Sequence, residues 1–314
     1  MTLPKRRLPG TAYFLTGVCE RHEFRLKPMP ETNAAFAFTL MESAMRHGVD
    51  VVAVCQMSSH YHAVVFDRLG TLSEFLRDFH GVMGKYGSAR DEVEKTKFWC
   101  AEGGREIELG DMDTVIEKVA YSLANPTKDF VVSEPREWIG AMTPVKTLGM
   151  GVGKVYQRPK RFFDTDGGTS ESVMLWSDYP CEFSELMGVD EFRARVEQRV
   201  GEYVAAAQAE VAAGRAEWFG VERAKKVSVW HSVERERAAA GKKAKATKKV
   251  AAATMGRLQA MLEALLAFRK AHRRAWEAFR AGAEAMFPAG TWKAWRFYGA
   301  SREEGVAEAM KAPG

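Results

Sequence analysis

The stretch Val54–Asp67, VCQMSSHYHAVVFD, decides the fold of this 314-residue chain. Its second half alternates as a β-strand does, and side chains at i and i+2 of a strand share a face. His60 and His62 therefore project together, roughly 7 Å apart at their Cα atoms. Imidazole is the commonest side-chain ligand of divalent metals, and two protein nitrogens leave positions open for substrate oxygens. The pair indicates a metal site, although ordinary surface or hydrogen-bonded histidines have the same spacing.

The flanking sequence predicts the element order β-α-β-β-α-β-α. A short connection at Met57–Ser59 makes the second and third strands an antiparallel hairpin, and Pro126 is expected to end the third helix. This order is typical of an α+β fold, a ferredoxin-like antiparallel sheet with helices on one face. The predicted strands are Thr11–Val18, Val51–Gln56, Tyr61–Phe66 and Arg105–Leu109 together with Phe98–Cys100, and the helices are Pro30–His47, Leu72–Tyr86 and Asp111–Asn125.

The composition is that of a soluble globular protein, with 46% hydrophobic and 28% charged residues. No run approaches the roughly 18 apolar residues of a membrane span, and the N-terminus lacks the apolar stretch of a signal peptide. We therefore expect a cytoplasmic protein with no membrane partner. The four cysteines form no CxxC motif, which favours free thiols. A net charge of +5 is compatible with a nucleic-acid partner without proving one.

The third predicted helix carries the second half of a candidate site. Tyr121 falls almost opposite the centre of its apolar stripe, and Asn125 lies one turn further on the same face. A half-exposed tyrosine and an ordinary helix-capping asparagine are the plain alternative. With His60 and His62, however, an Asn125 amide oxygen would give three ligands for a divalent cation. Tyr121 would then be placed to attack a phosphodiester held by that metal, which is coherent transesterification chemistry.

From about Lys146 the character of the sequence changes. We expect a catalytic domain at residues 1–145 and a mostly helical, basic C-terminal extension at 146–314, helical near Asp190 to Phe219 and again at Thr254–Met286. The extension is either a DNA-binding subdomain or a packing subdomain. Lysines between 242 and 249 suit a mobile linker or a phosphate-tracking arm, and tryptophans near the C-terminus suit base stacking or a small core. The candidate DNA contacts are Arg6, Arg7, Lys242, Lys243, Arg273, Arg274, Trp292 and Trp295.

Two motifs together resemble the REP-associated tyrosine transposases, the single-tyrosine transposase branch of the HUH endonuclease superfamily. His60-Tyr61-His62 fits the pair of histidines around a bulky apolar residue that names the superfamily, and Tyr121 to Pro126 fits a Tyr-x-x-x-Asn-Pro helix signature. Shorter similarities are RRLPGTAYFLTG near the N-terminus, Phe98-Trp99, and FPAGT at 287–291. The resemblance covers residues 5 to 140 well and the remainder in patches.

The resemblance implies a ferredoxin-like HUH core that cleaves and rejoins single-stranded DNA near a palindromic, REP-like hairpin. It makes Tyr121 the nucleophile of a 5′-phosphotyrosine intermediate, and His60, His62 and Asn125 the ligands of Mg²⁺ or Mn²⁺. The enzyme would act as a monomer or a homodimer. We expect a domesticated protein, since nothing in the sequence shows mobility.

The sequence also departs from this family. Ser59 stands where an asparagine is expected, and the segment 87–97 lacks an asparagine expected after the second helix. Both departures bear on how substrate is positioned. Two rival functions remain open: a catalytically silent regulator that binds DNA hairpins with the same fold, and a replication initiator or relaxase of the same superfamily.

Overall fold

A five-stranded sheet forms the centre of the structure, a computed structural model that describes residues 3–91, 97–100, 104–159, 171–232, 249–307 and 310. The strand order is β2-β3-β1-β4-β7, antiparallel throughout except for the parallel β4–β7 pair. A separate hairpin pairs β5 with β6. The strands are β1 Thr11–Val18, β2 Val49–Gln56, β3 His60–Asp67, β4 Arg105–Leu109, β5 Lys154–Gln157, β6 Ser172–Leu175 and β7 Val250–Ala251.

Helices alternate with these strands in the order that the sequence predicts for its first half. The first helix starts at Pro30, where a proline costs no hydrogen bond, and ends at Gly48, whose φ of 62° is the left-handed conformation of a helix C-cap. Together with the sheet, the helices give a mixed fold compatible with the α+β class. They are α1 Pro30–His47, α2 Leu72–Arg90, α3 Met112–Lys128, α4 Cys181–Ser184, α5 Val189–Ala212, α6 Val221–Lys226, α7 Met255–Arg280 and α8 Lys293–Tyr298.

The β2–β3 hairpin fixes which face each histidine occupies. Gln56 pairs with Tyr61, and the Met57 amide donates to the His60 carbonyl at 2.8 Å. Alternation then places His60 and His62 on one face and Tyr61 on the other. The Tyr61 ring lies against Gly17 of β1, where a Cβ atom would come within 2.1 Å of the ring. A side chain at position 17 would therefore displace the residue between the two histidines.

Helices cover both faces of the sheet, so the expectation of helices on one face is wrong. Helices α1 and α2 pack on the face that carries Leu15 and Val65. Helices α3 and α5 pack on the face that carries Phe14 and Phe66. The physical reason is that β1 and β3 carry large apolar side chains on both faces, Leu15 and Val65 on one and Phe14 and Phe66 on the other, and both sets must be covered.

Helix α3 continues through Pro126 to Lys128, so the expectation that proline ends this helix is also wrong. Proline removes one backbone hydrogen bond, but the turn after it is closed by the Asp129 amide, which donates to the Asn125 carbonyl at 2.9 Å. Asn125 and Pro126 are both buried, so packing holds this turn. The extra turn places Lys128 on the helix face that carries Tyr121, seven residues before it.

The C-terminal half packs back onto the N-terminal half. Helix α5 lies along α3 and contributes buried side chains to the same apolar cluster as the sheet. The β5–β6 hairpin packs on α1, and β7 extends the sheet beside β4. Across the described ranges, no helix is long and apolar enough to cross a membrane. The α5 side chains that are buried in the shared cluster are Phe192, Val196, Val200 and Val204.

A half-buried histidine under the sheet should make stability depend on pH. The Tyr61 hydroxyl lies 2.7 Å from Nε2 of His80. Burial lowers the pKa of His80 to about 4 against an opposing effect of Glu106, and Lys5 acts in the same direction as burial. The unfolded chain takes up this proton near pH 6.5, so between these values the unfolded state binds more protons. The free energy of unfolding should therefore fall by up to about 3 kcal/mol as the pH drops from 6.5 to 4.

Urea unfolding of the wild type and of His80→Gln at pH 7 and pH 4.5 measures this dependence. The wild type should lose more of its free energy of unfolding than the variant. Only the wild type has an imidazole at position 80, which takes up a proton in the unfolded state more readily than in the folded state. Equal losses in the two proteins would contradict the assignment.

Candidate functional site

His60, His62 and Asn125 come together where β3 meets α3. Nε2 of His60 lies 3.1 Å from Oδ1 of Asn125, and the two imidazole ring centroids are 4.9 Å apart. Asn125 is buried, so its amide is held in place on α3. The structure thus brings together all three residues that the sequence singled out as ligands.

A hydroxyl group lies within hydrogen-bond distance of Nδ1 of each imidazole. Oγ of Ser59 lies 3.2 Å from Nδ1 of His60, and Oγ1 of Thr16 lies 3.1 Å from Nδ1 of His62. Such contacts at Nδ1 orient the ring and leave Nε2 to face the site. Ser59, the departure from the family pattern, therefore has a definite contact in this chain.

Both imidazoles are kept neutral by their surroundings. Burial lowers the pKa of His60, against an opposing effect of the nearby Asp129 carboxylate. Burial lowers the pKa of His62 well below its usual value. A proton on His60 and the positive charges of Lys128, Lys118 and Arg105 act in the same direction. A neutral imidazole has a lone pair to offer, so the histidines are in the form that binds a metal.

Tyr121 stands beside His62 rather than away from the packing surface. Its ring centroid is 5.3 Å from that of His62 and 6.0 Å from that of Phe14, in edge-to-face geometry. Helical periodicity places it opposite the apolar stripe, which on a helix with one neighbour is the exposed side. In the fold α3 packs against both the sheet and α5, so Tyr121 is half-buried at the boundary between them.

Two lysines lie against the Tyr121 ring. Nζ of Lys128 is 4.6 Å from the ring centroid and Nζ of Lys118 is 5.6 Å from it. Lys128 also pairs with Asp129 at 3.1 Å. Although burial acts to lower the pKa of Lys128, Asp129 and the Tyr121 hydroxyl raise it. An ammonium group thus lies beside the hydroxyl that the sequence named as nucleophile.

The C-terminal half supplies one wall of this site. The ring centroid of Tyr203 on α5 lies 6.1 Å from that of Tyr121. The Tyr203 hydroxyl donates to Glu117, which also pairs with Arg199 at 2.7 Å. Helix α5 is therefore bonded to α3 at Glu117, one turn before Tyr121.

The residues present fit a small divalent cation. Two ligand atoms about 2.1 Å from a cation and at right angles to each other lie roughly 3.0 Å apart, close to the His60–Asn125 separation of 3.1 Å. Two neutral nitrogens and one amide oxygen form a partial ligand set that leaves positions for substrate or water. In the described part of the chain, no three His, Cys, Asp or Glu residues are grouped to hold a metal, so this mixed set is the candidate.

The N-terminal arginines are engaged within the protein. Arg7 is buried and pairs with Glu106 and the Ser73 hydroxyl. Burial acts to raise the pKa of Glu106, but Arg7 and Lys5 outweigh it and lower the pKa to about 2. Arg6 pairs with Glu108 at 2.7 Å, with only 13% of its side chain exposed. Arg7 is therefore no candidate for a phosphate contact, and Arg6 is a poor one, because both guanidinium groups already have carboxylate partners.

The other expected DNA contacts lie in the C-terminal region. Arg273 and Arg274 are exposed on α7, and Trp295 is 43% exposed on α8. Trp292 donates its ring N–H to Glu74 of α2, and this hydrogen bond joins the start of α8 to α2. Lys242 and Lys243 lie outside the described residues.

The sequence interpretation missed Thr16, Lys128 and Tyr203. Thr16 is directly opposite His62 in the β1–β3 pairing, so only the strand register reveals it. Lys128 was concealed by the expectation that the helix ends before Pro126, because it lies on the face of Tyr121 only if the helix continues. For Tyr203 the sequence offers no local signal, since its contact with Tyr121 depends on how α5 docks.

Neither a protein-family model nor a curated protein sequence matches this chain. Among solved structures, the chain is similar to a REP-associated tyrosine transposase bound to a REP hairpin, with 12% sequence identity and a TM-score of 0.38. The match covers 57% of this chain and 98% of the other. A likeness at this level assigns neither an activity nor a site residue, and the functional conclusion depends on the geometry described above.

Proposed function

We propose that this protein is a metal-dependent, single-stranded DNA endonuclease and strand transferase of the REP-associated tyrosine transposase type, with a ferredoxin-like HUH core. The observation that carries the proposal is a convergence of side chains: His60 contacts both Asn125 and His62, and His62 lies beside Tyr121. Two elements far apart in sequence, β3 and α3, supply a metal-ligand set and a hydroxyl nucleophile at one place, which a chance histidine pair does not explain.

In this proposal His60, His62 and Asn125 hold Mg²⁺ or Mn²⁺. The cation, when bound, polarises the scissile phosphate and neutralises charge that develops there. Thr16 and Ser59 orient the two imidazoles through Nδ1. Asn125 is fixed by the closed turn around Pro126, so the site is supported by rigid elements on two sides.

Tyr121 performs the covalent step. Its oxygen forms a bond to the phosphorus while the bond from phosphorus to the 3′-oxygen breaks, and the departing 3′-oxygen takes up a proton as the phenol loses one. The products are a 5′-phosphotyrosine and a free 3′-hydroxyl. Attack by another 3′-hydroxyl reverses the step, so rejoining requires no ATP. Lys128 would stabilise the negative charge that accumulates between the phenol oxygen and the phosphate.

A covalent-capture assay tests the proposal. The full-length protein is incubated with Mn²⁺ and single-stranded DNA hairpins from the repeats of its own genome, labelled at either the 3′ or the 5′ end. A 5′-phosphotyrosine requires that the 3′ label migrate with the protein in a denaturing gel and that the 5′ label appear in a shortened free strand. Binding without an adduct on any hairpin would instead favour the silent regulator.

Replacement of Lys128 should slow cleavage without weakening DNA binding. Lys128→Met removes a charge beside Tyr121, and loss of one such group typically costs about 100-fold in rate. Lys128→Arg should recover most of the rate because it keeps the charge. The measurement is the single-turnover rate of adduct formation at saturating DNA, with Lys85→Met as a control at an exposed lysine of α2. Equal rates in Lys128→Met and the control would exclude the role.

A further inference from the structure

Helix α8 presents three aromatic rings to solvent. Trp295 is 43% exposed, Phe297 56% and Tyr298 51%. Large apolar side chains grouped on a protein surface commonly mark a place where a partner binds. The site proposed for DNA cleavage uses none of these residues, so their exposure needs its own explanation.

The helix that carries these rings packs against the rest of the protein. Ala294 and Ala300 are buried in a cluster with Ala275 and Phe287, and Tyr298 packs edge-on against Trp276 of α7 with ring centroids 5.5 Å apart. Trp292, which begins the helix, donates to Glu74 of α2. The exposed rings therefore project from a packed helix and not from a loose terminus.

Positive charge surrounds the rings. Lys293 and Arg296 are exposed on the same short helix, and spacings of three and four residues place Arg296 and Phe297 on the face of Lys293. The guanidinium of Arg302 lies 4.0 Å from the centroid of the Trp295 ring. Residues 249–307 contain ten Lys or Arg and five Glu, an excess that equals the net charge of +5 of the whole chain.

We propose that Trp295, Phe297 and Tyr298, with Lys293 and Arg296, form a platform that binds single-stranded nucleic acid by base stacking. Aromatic rings interleaved with cations suit this ligand, because bases stack on the rings while the cations contact phosphates. The inference rests on the proposed function for the choice of a DNA strand. It adds a second contact, outside the cleavage site, that would hold the strand flanking the hairpin.

Charge and stacking both select this ligand over the alternatives. Paired bases in a duplex have their faces occupied, so a duplex offers the rings no stacking partner. A second copy of this chain would place Lys293 and Arg296 of one protomer near the same charges of its partner, which opposes association. An unpaired, negatively charged strand satisfies the rings and the cations together.

Fluorescence anisotropy with labelled oligothymidylate of about 16 nucleotides tests the platform. The double variant Trp295→Ala/Phe297→Ala should bind about 10- to 100-fold more weakly than the wild type. Trp295→Phe, which keeps a ring, should stay within about threefold of it. A duplex of the same length should show no such difference between wild type and double variant. Leu266→Ala is the matched control, because Leu266 is 62% exposed on α7 and lacks an aromatic ring.

Charge substitutions provide a second readout. Lys293→Gln and Arg296→Gln should each reduce the slope of log affinity against log salt by roughly 0.7, the value for one phosphate contact on a single strand. Lys85→Gln should leave the slope unchanged. Thermal melting of every variant should match the wild type, since the substituted side chains are exposed.

The outcomes separate the platform from the proposed function. Covalent capture of hairpin DNA by the wild type, together with unchanged oligothymidylate binding in Trp295→Ala/Phe297→Ala, would overturn the platform alone. Ring-dependent strand binding without any adduct would support the platform and count against the cleavage activity. A change in oligomeric state of the double variant, with DNA binding unaffected, would assign the rings to self-association and overturn the inference.

Discussion

Tyr121→Phe is expected to abolish the covalent protein–DNA adduct while hairpin binding stays within about twofold of the wild type. The substitution removes one oxygen atom and keeps the ring that packs against His62 and Phe14. Only the hydroxyl can form the phosphotyrosine, so the chemistry should be lost completely. Adduct formation in a denaturing gel and affinity by gel shift measure the two properties separately.

Tyr203→Phe is the matched control for this prediction. Tyr203 is a second tyrosine beside Tyr121, but its hydroxyl is engaged by Glu117 on the neighbouring helix. Its variant should therefore still form the adduct. An adduct that persists in Tyr121→Phe and disappears in Tyr203→Phe would transfer the nucleophile to α5 and refute our assignment.

His62→Ala is expected to lower the affinity for Mn²⁺ by at least about 100-fold, since loss of an outer contact alone typically costs 10- to 100-fold. His62 is buried, its Nδ1 is held by Thr16, and its pKa lies well below the usual value. It therefore provides a neutral nitrogen at a fixed place. Calorimetric titration of the full-length protein with Mn²⁺ gives the affinity directly.

Two further variants make this measurement specific. Thr16→Val keeps the shape of the side chain but removes the hydroxyl at Nδ1, so Mn²⁺ affinity should fall less than in His62→Ala, by about 10-fold. His47→Ala removes a histidine that pairs with Asp78 at the end of α1 and should leave the titration unchanged. A wild-type isotherm in His62→Ala would eliminate His62 as a ligand. If His62→Ala unfolds, His60→Ala repeats the test at a less buried position.

The sequence predicts best the features that depend on residues close together in the chain. The pattern of α1, with proline at its start and glycine at its end, predicts both of its bounds. The hairpin β2–β3 and the strand β4 were also predicted, because alternation and short connections depend on neighbouring residues. The Phe98–Cys100 segment, by contrast, contributes only an isolated bridge between Cys19 and Trp99.

The errors arose where several elements compete for one surface. Burial of strands on both faces cannot be read from an apolar run alone, which is why the placement of helices on one face was wrong. The end of α3 was misjudged because a rule for isolated helices was applied to a buried turn. Strand periodicity placed His60 with His62 and helix periodicity placed Tyr121 with Asn125, and the family resemblance joined the two pairs. Thr16 required the register of β1 against β3.

The packing of α5 on α3 has a consequence for how such a protein can change over time. An appended module that merely tethered DNA could be exchanged or lost between lineages without affecting the chemistry. Here Phe192, Val196, Val200 and Val204 share an apolar cluster with the sheet, and burial of such side chains stabilises by about 1.5–3 kcal/mol each. A chain cut at residue 145 would expose that surface and lose the wall beside Tyr121. The extension and the core would therefore be inherited together, and substitutions in one would be tolerated only with matching changes in the other.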